Sequence, residues 1–153
     1  MSRGTQMTAK VIQLRSVVKT DALIPEGEYE AALVDYETGI YFFGHSPKVI
    51  LWWRIFTMGA AFETVIPGYY AVRRLTGKGR RRGRFQIGLK SRLARDLALM
   101  TNARPPLDHV PLDHLQDHLF WISVRTTVRD SGQKAIPKGA QYSIVDQVLR
   151  AVK

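Results

Sequence analysis

Three Asp-His pairs lie close together in the chain: Asp108-His109, Asp113-His114 and Asp117-His118. Carboxylates and imidazoles are good ligands for zinc or manganese, and a metal held there would suit a metal-dependent nuclease. The spacing matches no established metal motif, however, and prolines lie within and beside the run. Turn and helix-start roles explain the aspartates without any ligand. No Gly-x-Ser-x-Gly nucleophile signature occurs. Gly77-Lys78 lacks the following Ser/Thr and the upstream glycine spacing of a phosphate-binding P-loop. The expectation is therefore a protein with no catalytic residue, no metal ligand and no cofactor; the nuclease is the alternative from a different class.

A second chemistry is written in charge. Arg73, Arg74, Lys78, Arg80, Arg81, Arg82 and Arg84 put seven cations, three glycines and no acid into twelve residues. Such density is self-repelling in a free chain and favours an open loop, but a phosphate backbone relieves the repulsion and releases counterions. The whole chain carries a net charge of +10 with pI near 10.2. Residues 38–107 alone hold thirteen cations against two acids, a local excess of +11. That concentration is the footprint of a polyanionic partner.

Aromatic side chains are interleaved with this charge, as single-strand binders require for base stacking. Period-two alternation assigns their faces. In Lys48–Phe56, Val49, Leu51, Trp53 and Ile55 form an apolar, core face, whereas Lys48, Ile50, Trp52, Arg54 and Phe56 form a mixed face suited to ligand. In the strand beginning at Leu119, Phe120, Ile122 and Val124 oppose Trp121, Ser123 and Arg125. Trp52 and Trp121 are the expected stacking tryptophans, and Tyr69 or Tyr70 is expected to meet ligand beside the basic loop.

The elements that must position these residues follow from pattern. At 153 residues, 45% hydrophobic and 10% aromatic, the chain fits one folded domain. It lacks cysteine, which removes disulfides and thiolate metal sites and suits a reducing compartment. No apolar run reaches bilayer-spanning length, and the basic N-terminus lacks a signal-type block, so a cytoplasmic location and no membrane partner are expected. Residues 1–22 read as a basic, loosely ordered arm and 23–153 as the domain. Strands are expected from Glu28, with Gly39 as an interruption, over Lys48–Thr57, over Phe62–Ile66 with Pro67-Gly68 as its end, over Leu119–Val128 and over Tyr142–Val145. A helix is expected over Ser91–Asn102 with Ser91 as N-cap, and a helical turn or two over Asp146–Val152.

Three strands, one helix and two strands make a mainly β fold with one or two helices, and suggest a five-stranded OB-like barrel with the helix between strands 3 and 4. Over residues 25–146 the chain resembles the OB-fold single-stranded-DNA-binding proteins of phages and mobile genetic elements. The resemblance rests on Pro25-Glu26-Gly27-Glu28-Tyr29 opening a long strand, the Lys48–Phe56 strand, the Ser91–Met100 helix after the basic loop, and Leu115–Val124 followed by a glycine hairpin and Tyr142-Ser143-Ile144-Val145. Asp117-His118 stand where that group carries Gly-Lys, and Leu149–Lys153 replace the acidic tail of many cellular single-strand binders. The implied function is sequence-tolerant binding of single-stranded DNA in replication or recombination of a mobile element. RNA or duplex DNA bound through the basic loop is the alternative within the class, and an assembly protein is another class. A homo-oligomer is compatible with the sequence.

Overall fold

The computed structural model describes residues 22–41, 46–76, 84–104, 106–107, 112–116, 118–129 and 133–152; residues 1–21 of the expected arm lie outside them. Among the described residues, seven strands and one α-helix run in the order β1 (Gly27–Tyr41), β2 (Ser46–Ile55), β3 (Val65–Ala71), β4 (Arg74–Leu75), β5 (Phe85–Gln86), α1 (Arg92–Thr101), β6 (Leu119–Thr127) and β7 (Tyr142–Ala151). Short 3₁₀ turns occupy Leu112–Leu115 and Lys138–Ala140. Five strands form one antiparallel sheet in the order β3-β2-β1-β6-β7. Its inner face carries the expected apolar sets: Val49, Leu51, Trp53 and Ile55 are fully buried, with Phe120, Ile122 and Val124 beside them. Each such aliphatic side chain contributes about 1.5–3 kcal/mol by leaving water.

The sheet curls until its edge strands touch. Where they meet, a β-carbon at Gly68 would lie 3.3 Å from the Val145 Cβ, so the side chain's absence permits the approach. The incoming chain is clamped against β7. The Ser143 amide donates to the Ala22 carbonyl at 2.7 Å, and Ser143 Oγ accepts from the Ile24 amide at 2.8 Å and donates to the Ile24 carbonyl at 3.1 Å. No hydrogen-bonded ladder joins β3 to β7 among the described residues, so the sheet is not closed into a barrel.

Three element boundaries differ from the expectation. β1 runs through Gly39, which pairs with Lys48, and the irregularity falls between Leu33 and Asp35 instead. One extra residue there re-aims the chain so that Leu33 and Tyr36 both meet the core. β3 continues through Pro67-Gly68 because it is an edge strand, where proline's missing donor leaves no ladder partner unmet. Asp146–Ala151 extends β7 instead of turning into a helix, with two register shifts against β6 that bring Val145 and Val148 into the core.

Helix α1 begins as expected, with Ser91 Oγ accepting from the Ala94 amide at 3.1 Å. It docks on β3 and β7 through a buried polar junction. Tyr70 Oη donates to Asp96 Oδ2 at 2.6 Å, the Val148 amide donates to the same carboxylate, and Arg95 Nη2 reaches Oδ1 at 3.3 Å. The Arg92 guanidinium lies 5.1 Å from the centre of the Tyr70 ring. Burial pushes the Asp96 carboxyl above its usual range, and the hydrogen bonds from Tyr70 and Val148, with Arg95, pull it partly back. Burial, then the Asp96 charge, raises the Tyr70 phenol well above its ordinary value, so it remains a donor.

Candidate functional site

One groove of about 690 Å³ draws its walls from distant parts of the chain. Lys48 comes from β2 and Tyr69 from β3; Arg125, Arg129 and Tyr142 come from the β6–β7 hairpin. The ladders explain this convergence. Tyr69 sits opposite Ile50, one strand repeat from Lys48, while Arg125 faces Ile144 and Thr127 faces Tyr142 on the hairpin arms. Because the sheet curls, the hairpin is brought to the β2–β3 side. Val128, half exposed, and Ile136 give the groove an apolar floor.

Its electrostatics are one-sided. Three cations and no acid are among the described residues that line the groove. Arg125 Nε donates to Asp146 Oδ1 at 3.0 Å, but both side chains are about half exposed, so the pair is weak and open to exchange for a phosphate. Arg129 Nη1 donates to the Gln133 carbonyl at 3.0 Å, which braces the hairpin and holds the guanidinium at the rim. The two phenol rings give flat, partly exposed apolar surfaces between these charges. Cations spaced around aromatic faces can bind a chain that alternates phosphates with planar bases.

Lys48, Tyr69 and Arg125 thus come together as expected, but other expected residues do not join them. Tyr70 is 1% exposed, with its hydroxyl committed to Asp96, so no ring face remains for a base. Trp52 is 8% exposed and packs with Ile50 and Val65 under Val34 and Tyr69, its indole N–H donating to Glu37 Oε2 at 3.0 Å. Arg54 shares that covered face and is also buried. All three assignments to the ligand surface are corrected by this burial. Trp121 stays partly exposed, but the Arg150 guanidinium stands 5.3 Å from its ring centre, and it lies four residues along β6 from Arg125. At about 3.3 Å per residue that separation is roughly 13 Å.

The basic segment is anchored more firmly than an open loop. β4 and β5 form a short ladder, the Thr76 amide donates to the Arg84 carbonyl, and Phe85 and Ile87 are buried. Arg73, Arg74 and Arg84 are exposed on this stem, with Arg74 also donating to Gln86 Oε1 at 3.0 Å. Lys78, Arg80, Arg81 and Arg82 lie outside the described residues. The stem leaves β3 just after Ala71, the ladder partner of Lys48, and so starts from the lysine end of the groove.

Arg129 and Tyr142 were not foreseen. The available signal was the Asp130-Ser131-Gly132 turn, since residues flanking a hairpin turn are brought together across the strands. Asp96 was also legible in principle: it falls on the Leu93-Leu97-Met100 stripe of the helix. In the Asp-His run, Asp108, His109 and Asp117 lie outside the described residues, while His114 and His118 line a separate cavity of about 340 Å³ with Met100 and Phe120. Among the described residues no three potential metal ligands converge. Comparison with protein families, curated proteins and solved structures finds no match to this chain.

Proposed function

We propose that this chain is a sequence-tolerant single-stranded-DNA-binding protein, acting in replication or recombination of a phage or mobile element. The observation that carries the reading is the groove in which Lys48, Arg125 and Arg129 stand beside Tyr69 and Tyr142, with no acid among its described lining residues. Arg73, Arg74 and Arg84, exposed on the stem that follows β3 at the groove's Lys48 end, add to this positive charge. We read the curled sheet as an OB-like barrel left open along the β3–β7 seam. That fold is a partly open five-stranded barrel that takes oligonucleotides on its strand 2–3 face and adjoining loops, where this groove lies.

The two tyrosines favour a single strand, whose bases are free to stack on them; a duplex keeps its bases stacked internally. Competition between labelled oligothymidine and duplex DNA of equal length, at two salt concentrations, tests the reading. Oligothymidine should win at both, and its affinity should fall with salt at a log–log slope of about −0.7 per phosphate neutralised. Equal affinity for duplex would transfer the function to the basic hairpin alone. Preference for oligouridine over oligothymidine would make RNA the ligand.

A further inference from the structure

A second groove, of about 590 Å³, runs along the side of α1 that carries Ala94, Arg95 and Ala98. Ala94, Ala98 and Leu107 form its floor, and Leu89, 56% exposed, stands as an apolar wall. The two alanines are one turn apart, so another chain can approach the helix backbone closely. Lys90, Arg95 and Arg104 rim the groove, and no acid is among its described lining residues. Arg95 is engaged with Asp96 and with Gln147 Oε1 at 2.8 Å. Lys90 and Arg104 are exposed, one preceding the helix and the other following it. The ten-residue helix that lies between them in the chain is about 15 Å long.

No residue of this groove lines the one beneath Tyr69 and Tyr142, and no aromatic ring lines it. A nucleic-acid strand would find charge here but no stacking surface, and its sugar-phosphate chain gains nothing from an alanine-leucine floor. A peptide with acids at both ends and apolar side chains between them matches both features. In an extended chain the two acidic ends would be spaced by four or five residues, at about 3.3 Å each. We infer that the α1 groove docks an acidic, leucine-bearing segment of a partner protein, a surface distinct from the nucleic-acid track.

The test uses the full chain and a fluorescein-labelled peptide of about ten residues, aspartates flanking two central leucines, read by anisotropy. Saturable binding is expected, weakened at least about tenfold by Lys90→Glu with Arg104→Glu, because opposite-charge rims become like-charge ones. Ala98→Phe, which fills the floor and leaves every charge in place, should abolish it, and a peptide with serine for leucine should bind poorly. Oligothymidine affinity of each variant should stay close to that of the parent, and oligothymidine should not displace the peptide. Displacement by oligothymidine, indifference to Ala98→Phe, or equal binding of the serine peptide would overturn the proposal. Loss of oligothymidine binding in the charge-reversed variant would assign the groove to the nucleic-acid track instead.

Discussion

At the scale of single residues, the candidate site depends on two tyrosines and three cations that differ in what they can do. The rings supply sequence-tolerant stacking, and the cations supply attraction that salt screens. Tyr69→Ala and Tyr142→Ala should each weaken oligothymidine binding by about 1–3 kcal/mol while leaving the salt slope nearly unchanged. Lys48→Ala and Arg129→Ala should instead reduce that slope, each by about 0.7. Titrations at several salt concentrations separate the two effects; a tyrosine variant that lowers the slope as a lysine variant does would remove stacking from the site. Lys48, Tyr69 and Arg125 line the groove while Trp52, Arg54 and Tyr70, expected on the same ligand surface, are buried, and the reason is physical. Alternation fixes which side chains share a face, but not whether another element covers it. The outer face of β2 is covered by Val34 and Glu37 of β1, which the bulge turns toward Trp52.

At the scale of elements, the strands with one apolar face were readable because their burial is periodic. The errors fall where pairing overrides local pattern. Residues 146–151 resemble a helical turn when read alone, yet the ladder with β6 and burial of Val148 hold them extended. Helix α1 was the clearest element, but its docking partner Asp96 shows a cost that pattern does not reveal. A carboxyl whose folded pKa is raised binds its proton more readily in the folded state. Its contribution to stability is therefore greatest below the unfolded carboxyl pKa and declines as pH rises through the raised folded value. The groups facing it are Tyr70, Arg92, Arg95 and the Val148 amide. Tyr70→Phe removes a hydrogen bond that lowers this pKa, so the decline should move to higher pH, and stability near neutrality should drop by about 1–3 kcal/mol. Urea unfolding of parent, Tyr70→Phe and Asp96→Asn between acid and neutral pH checks this; Asp96→Asn should lack this part of the pH dependence. The stem of the basic segment is held by buried Phe85 and Ile87, and its Arg73, Arg74 and Arg84 are exposed. Replacing Arg80, Arg81 and Arg82 by alanine should leave the melting temperature within a few degrees and weaken binding by a similar factor across sequences. A collapse of stability would make those arginines structural.

At the scale of the whole molecule, the cations of the groove and the described histidines of the Asp-His run occupy different places. Lys48, Arg125 and Arg129 line the groove, and the stem with exposed Arg73, Arg74 and Arg84 follows Ala71, the ladder partner of Lys48. His114 and His118 line a cavity that shares no residue with that groove. A nuclease must hold the scissile phosphate beside its metal or general base, because catalysis depends on positioning the reacting groups within a few ångströms. A strand lying in the tyrosine groove would have to extend well beyond it to meet the histidines. Binding and any hydrolysis at the histidines would therefore be separable, and only binding is expected. The purified protein should bind oligothymidine with chelator present and leave it intact when magnesium, manganese or zinc is added. Replacing His109, His114 and His118 together should change affinity little, whereas replacing Tyr69 and Tyr142 together should reduce it strongly. Gel analysis of end-labelled oligonucleotide after long incubation provides the reading. Metal-dependent cleavage that vanishes in the triple-histidine variant would bring the strand to the Asp-His run after all, and would make hydrolysis, with the groove as its product or substrate track, the function of this fold.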